Sequence, residues 1–376
     1  MIYLIKRILP GQTIGIIGGG QLGQMMTTSA KEMGYHVIIL DPQKDCPAAQ
    51  VADEQVIADY DDEIAILNLA KICDVLTFEF ENVDADTIDA AKQYCYVPQG
   101  STALRISQDR ISEKQFLEAH NYPIAPFKLI QSFDDLENVI KITGYPSILK
   151  TIRGGYDGKG QVILKTSADL IEAEKLIQNR TCVLEGFVQF DREVSVIIAR
   201  NELGQQSIFP IIENQHRHNI LHESSCPSRL SIETRKEVEI IASQIADDCL
   251  SVGTMGIEFF VSDSGGVYVN EIAPRPHNSG HLTIEACSLS QFEAHIRGIC
   301  NLPMLKPQLL SHAIMINILG QHVQPVLNEI QNEGQWRFHF YGKNEAKQDR
   351  KMGHVTILTD NIEQAKIDVY QTKIWD

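Results

Sequence analysis

The chain lacks closely spaced cysteines. Its eight, at 46, 73, 95, 182, 226, 249, 287 and 300, come no nearer than 13 residues, and there is no C-x-x-C. That spacing excludes a secreted disulfide framework and a zinc ribbon, and it fits reduced, mostly buried thiols. No run of 18 apolar residues occurs, so no membrane span is expected. Lys6 and Arg7 lead into Pro10-Gly11-Gln12 rather than an apolar signal core, so a cytoplasmic protein is the expectation. Basic charge is also short. Lys and Arg number 33 against 49 Asp and Glu, a net charge of −16. A polynucleotide partner needs a basic footprint and is excluded, as is a membrane partner. Small anions are not excluded, because local basic clusters survive in an acidic chain. No internal repeat or low-complexity segment appears.

What is present is ordinary in bulk. The 376 residues, 43% hydrophobic and 22% charged, suit a globular protein of two to three domains. The first hundred alternate strand and helix. Thr13 to Ile17 is a short β-branched run that stops at glycines. Gln21 to Met33 has helical character and ends at Gly34. Tyr35 to Leu40 and Asp74 to Phe80 are further strands, with a helix over Asp61 to Lys71. This alternation predicts a parallel sheet covered on both faces.

Between the first strand and helix lies Gly18-Gly19-Gly20-Gln21-Leu22-Gly23, with Asp41 about twenty residues on. This fits the G-x-G-x-x-G dinucleotide fingerprint in its usual context. An NAD-dependent or flavin oxidoreductase is one reading. The broader one is that any glycine loop at a helix N-terminus receives an anion.

A second glycine loop differs. Tyr145 to Lys150 predicts a strand ending in lysine, followed by Arg153-Gly154-Gly155-Tyr156-Asp157-Gly158-Lys159-Gly160-Gln161 and the strand Val162-Ile163-Leu164. It is not a P-loop, because Lys159 precedes Gly160 rather than Ser or Thr, and it joins strand to strand. A glycine-rich strand–loop–strand with Lys150 and Lys159 suits a lid over a polyphosphate, since glycines let backbone N–H groups approach the oxygens. A mobile surface hairpin has the same composition.

Downstream, Gly256 to Val261 and Val267 to Ile272 flank Ser262-Asp263-Ser264-Gly265-Gly266, a hairpin signal. With Ser264-Gly265 as a two-residue turn, Glu258 faces Glu271. Opposed carboxylates repel, so a pair beside Asn270 calls for a cation. All-oxygen donors favour Mg²⁺. Two exposed strand glutamates are the alternative.

The order of these features resembles the ATP-grasp superfamily: a lysine strand, a glycine lid, Glu185-Gly186-Phe187-Val188, Glu193, Glu258 and Asn270-Glu271. Gly155 to Gln161 and Asn270-Glu271-Ile272-Ala273-Pro274-Arg275-Pro276-His277-Asn278-Ser279-Gly280-His281 closely resemble the N5-carboxyaminoimidazole ribonucleotide synthase family within it. Gly18 to Gly23, Phe78 to Asn82, Gln108-Asp109-Arg110, Tyr341-Gly342-Lys343 and Arg350 to His354 fit the same family. The likeness runs from about Thr13 to about Leu358.

The resemblance implies a mixed α/β and α+β protein: an ATP-grasp fold with an N-terminal Rossmann-like pre-ATP-grasp domain and a small C-terminal domain. The parts are read as 1–108, 109–300 with a small lobe over about 109–185, and 301–376. It implies an ATP-dependent ligase that carboxylates 5-aminoimidazole ribonucleotide with bicarbonate through carboxyphosphate. ATP, two Mg²⁺ ions and a homodimer come with it.

By resemblance, Arg110, Lys150 and the loop Gly155, Tyr156, Asp157, Gly158, Lys159, Gly160 and Gln161 hold the phosphates. Glu185, Gly186, Phe187 and Val188 read adenine through backbone groups. Glu193 accepts the ribose hydroxyls, and His216 and Asn270 also lie at the nucleotide. Glu258 and Glu271 carry Mg²⁺. Arg275 clamps bicarbonate or carboxyphosphate, and His277, with a pKa near working pH, moves protons. Tyr156 and Asp157 face the ribonucleotide and the carboxyl intermediate. Gln21, Leu22, Glu79, Asn278, Lys343, Arg350 and Lys351 hold the ribonucleotide, the last three neutralising its phosphate. Ile152 stands where relatives often carry arginine. Two competitors remain: formate-dependent phosphoribosylglycinamide formyltransferase, and the oxidoreductase built on Gly18 to Gly23.

Overall fold

The computed structural model describes residues 6–155, 159–178 and 180–375. All eight cysteines are buried with free thiols. Among the described residues, no helix is long and apolar enough to cross a membrane.

The N-terminal sheet is parallel, with strands β1 (Thr13–Ile17), β2 (His36–Leu40), β3 (Glu54–Val56) and β4 (Val75–Phe78) in the order β3-β2-β1-β4. Ile14, Ile16, Val37, Ile39 and Val75 pack on one side with Met26, while Ile17, Leu40, Leu76 and Phe78 pack on the other with Leu69. Both faces are therefore covered, as the β-branched, near-continuous apolar runs require. Gly15 is a packing glycine, since a Cβ there would stand 2.8 Å from Cys73 Sγ.

The second sheet is antiparallel: β5 (Phe127–Ile130), β6 (Ser147–Thr151), β7 (Gln161–Leu164) and β8 (Cys182–Gly186), ordered β5-β8-β6-β7. Helices Phe133–Thr143 and Leu170–Ile177 cover it through Leu136, Ile140, Ala173 and Ile177. Ser132 and Asp135 cap the first of these helices reciprocally. The glycine loop connects β6 to β7. Of this loop, Tyr156, Asp157 and Gly158 lie outside the described residues.

The third sheet has nine strands: β9 (Arg192–Arg200), β10 (Gln206–Ile208), β11 (Ile212–Arg217), β12 (Ile220–Cys226), β13 (Gly253–Val261), β14 (Val267–Ala273), β15 (His312–Leu319), β16 (Trp336–Phe340) and β17 (Lys351–Thr359). Its path is β14-β13-β9-β11-β12-β15-β17-β16, with β10 on β9. Pairing of β12 with β15 carries one sheet from the residues of the core into the C-terminal segment. There Ile314, Ile316, Val355, Ile357, Trp336 and Trp375 form a separate cluster.

The β13–β14 hairpin departs from the expected turn. Val261 pairs with Val267, one residue off the register a two-residue Ser264-Gly265 turn would set. Gly265, at φ +85°, closes a three-residue loop instead. A bulge at Asn270 then absorbs one residue and returns Glu258 to Glu271. The facing pair survives because two local departures compensate.

Candidate functional site

The site lies where the second sheet meets the third. Helix Arg110–Ala119 links them and is capped by Asp109, whose carboxylate accepts from Ile111 and Ser112 N–H. Lys114 is buried and donates to the Asn270 carbonyl at 3.0 Å, standing 3.7 Å from Glu185. Lys150, near the end of β6, reaches the same Glu185 carboxylate at 3.1 Å. Burial alone would raise the Glu185 carboxyl, but Lys114, Lys150 and Arg110 hold it below the usual range. Burial pushes Lys150 down, with Glu185 opposing. Glu113 accepts from Ile272 N–H at 3.3 Å, and burial together with the nearby Glu271 pushes it up to about 8.

Across the bulge, Asn270 Nδ2 donates to Glu258 Oε2 at 3.2 Å, and Arg110 stands 3.5 Å from Glu271. Burial and then the Glu271 carboxylate push Glu258 up to about 7. The two facing carboxylates are all-oxygen donors, the chemistry that hard cations accept. His216 is pressed against Glu193. Burial opposes its charge, but the Glu193 carboxylate outweighs that and raises its pKa.

The residues after β14 turn toward the first sheet. Arg275 Nε pairs with Glu81 at 2.8 Å. His277 Nδ1 meets Ser279 Oγ at 2.8 Å, and its Nε2 lies 3.4 Å from Glu258. Both side-chain polar atoms of Asn278 are buried and unpartnered in the protein, which suits a residue that completes its hydrogen bonds on a ligand.

Three glycine N–H groups of the first loop are met by the protein's own carboxylates. Glu79, following β4, accepts from Gly20 N–H at 2.6 Å and Gly23 N–H at 2.5 Å. It serves the start of helix Gln21–Glu32, whose N-cap Gly20 has no side chain to do so. Asp41 accepts from Gly19 N–H at 2.8 Å and from the Tyr60 hydroxyl. The Lys343 ammonium donates to the Lys351 carbonyl at 2.7 Å. Burial, then Arg350, drives its pKa down to about 8, while Glu79 opposes. Gln50 ties Gly342 to the N-terminal domain at 3.2 Å. The tertiary structure thus assembles Glu79, Lys343, Arg350 and Lys351 from distant sequence.

Three family models match in succession: a ribonucleotide synthetase preATP-grasp domain over 11–108, an ATP-grasp domain over 115–292, and a phosphoribosylaminoimidazole carboxylase C-terminal domain over 313–368. The N5-carboxyaminoimidazole ribonucleotide synthase of Bacillus subtilis (strain 168) is 44% identical over 351 residues, spanning 93% of this chain and 92% of that protein. The chain belongs to the N5-carboxyaminoimidazole ribonucleotide synthase family. A solved synthetase of this family with ADP bound superposes with a TM-score of 0.97 at 49% identity, covering 99% of both chains. An Aspergillus clavatus synthase in complex with ADP and 5-aminoimidazole ribonucleotide gives 0.90 at 28% identity, covering 96% of this chain and 98% of that one.

Within this ATP-grasp fold, two expectations for synthase residues change. His277 is not poised to titrate near neutrality: burial, then Arg275, Lys351 and His216, push its pKa down to about 3. Leu22 is a core side chain packed with Met26 and Ile16, so only its backbone is available to a ligand. The oxidoreductase reading is not that of the family, and on this loop the Gly19, Gly20 and Gly23 N–H groups are already taken by Asp41 and Glu79, which leaves Gln21 and the Leu22 backbone to a ligand. Sequence reasoning missed Glu113, Lys114 and the Glu81 partner of Arg275. Arg110 and Lys114 stand four apart on one helix, a spacing that aligns them on one face, but nothing local says that face is buried.

Proposed function

We propose that this cleft performs the family reaction: ATP-dependent carboxylation of 5-aminoimidazole ribonucleotide to N5-carboxyaminoimidazole ribonucleotide, releasing ADP and phosphate, in purine biosynthesis. A bicarbonate oxygen attacks the γ-phosphorus as the bond to ADP breaks, giving carboxyphosphate. The exocyclic amine of the ribonucleotide then takes the carboxyl carbon, directly or as released CO2, while phosphate leaves and the amine loses a proton.

The observation that carries this reading is the facing of Glu258 and Glu271, with Arg110 against Glu271 and His277 against Glu258. Glu258 and Glu271 would hold Mg²⁺, two ions in the full complex. Bound there, the metal spreads charge off the phosphoryl oxygens. Arg110, Lys150 and the 155–161 loop neutralise the ATP phosphates. Glu185 meanwhile keeps Lys150 and Lys114 in place with its side chain and leaves its backbone, with Gly186, Phe187 and Val188, to adenine. Glu193, backed by His216, accepts the ribose hydroxyls.

Arg275 offers a planar fork to the carboxyl-phosphoryl group. Neutral His277, oriented by Ser279, offers a hydrogen bond rather than a titrating charge. Lys343, Arg350 and Lys351 receive the 5′-phosphate. Glu79 fixes the glycine loop, so that Gln21 and the Leu22 backbone present a rigid edge to the ribonucleotide. Asn278 supplies two unspent hydrogen-bonding atoms. The division at about 108 and 300, a homodimer and a cytoplasmic location complete the reading.

The test is ADP release that requires both bicarbonate and 5-aminoimidazole ribonucleotide. Turnover with formate and glycinamide ribonucleotide, and none with bicarbonate, would overturn it in favour of the formyltransferase.

A further inference from the structure

The segment that carries Arg275 is short of its own hydrogen-bond donors. Pro274 and Pro276 flank Arg275 and have no N–H. The main chain there has to be held from outside, and two buried amides do it.

Gln99 Nε2 donates to the Pro274 carbonyl at 2.8 Å. Gln291 grips His277 twice: its Oε1 accepts from His277 N–H at 2.9 Å, and its Nε2 donates to the His277 carbonyl at 2.7 Å. Both glutamines are buried, Gln291 completely. The fit is tight, since a Cβ on Gly280 would stand 2.6 Å from Gln291 Oε1.

Gln99 is itself aimed by a chain of bonds whose direction is determined. Thr254 N–H, in β13, donates to His295 Nδ1 at 3.0 Å, so that nitrogen is the acceptor. The neutral ring then carries its proton on Nε2, which meets Thr77 Oγ at 2.9 Å. Burial keeps the ring neutral, pushing its pKa down to about 3. Thr77, in β4, donates onward to Gln99 Oε1 at 2.7 Å. With Oε1 fixed as acceptor, the Gln99 amide has to present its N–H to Pro274. Thr77, His295 and Thr254 are all at most 1% exposed, and none is among the residues proposed above to meet ATP, bicarbonate or the ribonucleotide.

We propose that Gln99 and Gln291 are positioning residues for the carboxylation, holding the main chain on either side of Arg275, and that the Thr254–His295–Thr77 chain sets the orientation of Gln99. The N-terminal sheet, through β4, thereby fixes the clamp that the third sheet carries. This rests on the reading that Arg275 holds the transferred carboxyl group. A clamp that drifts lets carboxyphosphate reach water, so ATP is consumed without carboxylation.

The test compares Thr77→Val with Thr77→Ser in the full chain, with Gln99→Met beside them. Valine keeps the shape and removes the hydroxyl; serine keeps the hydroxyl and removes a buried methyl. Thr77→Val and Gln99→Met are expected to lower kcat for carboxylation by about 10- to 100-fold, the scale of a small misplacement. KM for ATP is expected to stay near the wild-type value, and ADP formed per carboxylated product to rise above the wild-type ratio. Thr77→Ser is expected to behave as wild type in both. Wild-type kcat and coupling in Thr77→Val, or an equal fall in Thr77→Ser, would overturn the proposal and leave Thr77 a packing residue. Arg275→Ala separates the layers: unchanged turnover there would sink the underlying reading of Arg275 itself.

Discussion

Replacing Lys343 with methionine should stabilise the protein at neutral pH while crippling ribonucleotide binding. The ammonium sits beside Arg350 and Lys351, with Glu79 opposing them, and 5.5 Å from the Tyr341 ring centroid. Its pKa falls from 10.5 to about 8. At about 1.4 kcal/mol per tenfold, that disfavours the folded, charged form by about 3 kcal/mol. The lost donation to the Lys351 carbonyl offsets about 1–2 kcal/mol of the gain. A net stabilisation of about 1–2 kcal/mol at pH 7 should raise Tm by about 1–3 °C in a chain of 376 residues.

The sign with pH follows from proton binding. Between pH 8 and 10.5 the unfolded chain holds a proton that folded Lys343 has shed, so this contribution to wild-type stability rises with pH. The advantage of Lys343→Met should therefore shrink from pH 7 to pH 10. Binding runs the other way. Above pH 8 the free enzyme loses the charge that meets the 5′-phosphate, and KM for the ribonucleotide should rise by roughly tenfold per pH unit. Thermal denaturation at both pH values and a KM profile measure the two effects. A variant that melts below wild type at pH 7, or one that keeps the wild-type KM break near pH 8, would refute the reasoning.

Three further outcomes follow from the site. Glu271→Gln leaves Glu258 as the remaining carboxylate of the facing pair and should lower kcat by about 10²–10³, the scale of losing one preorganised electrostatic partner; an unchanged rate at saturating Mg²⁺ would remove the metal assignment. Lys114→Met strips the Asn270 carbonyl of its donor and Glu185 of one of its two lysines, and should destabilise by about 3 kcal/mol in denaturant titrations, an outcome a surface lysine would not produce. Glu79→Gln turns one acceptor toward two glycine N–H groups into a donor and should cost about 1–3 kcal/mol of stability; calorimetry should find ATP binding but no NADH binding in the wild type, and tight NADH binding would revive the oxidoreductase.

The site was legible in sequence wherever chemistry is carried by contiguous residues. The 155–161 loop, Glu185 to Val188 and Asn270 to His281 are runs whose order carries the family resemblance, and from them the proposed phosphate lid, adenine edge and metal-bearing hairpin are read. Even the facing of Glu258 and Glu271 was readable, although for an incomplete reason: the expected turn was one residue short and the Asn270 bulge was unseen. A bulge has no sequence signature of its own here, because what makes it is the pairing of β13 with both β14 and β9. Local sequence was misleading at Gly18 to Gly23. The pattern promises glycine N–H groups to a ligand, and only the folded chain reveals that Glu79 takes those of Gly20 and Gly23 and Asp41 that of Gly19.

The sequence by itself determined the alternation of strand and helix in the first hundred residues, the two glycine loops, the family and most of the residues proposed to meet ATP. These depend on periodicity and on short ordered motifs, which are local properties of the chain. Tertiary structure alone decided the electrostatics. Burial with Arg275, Lys351 and His216 makes His277 neutral, and burial with Arg350 brings Lys343 to about 8. Lys114 becomes a strut between sheets because Asn270 and Glu185 converge on it from 156 and 71 residues away. Charge and proton affinity depend on which groups share a low-dielectric space, and only the folded arrangement of the three sheets creates that space.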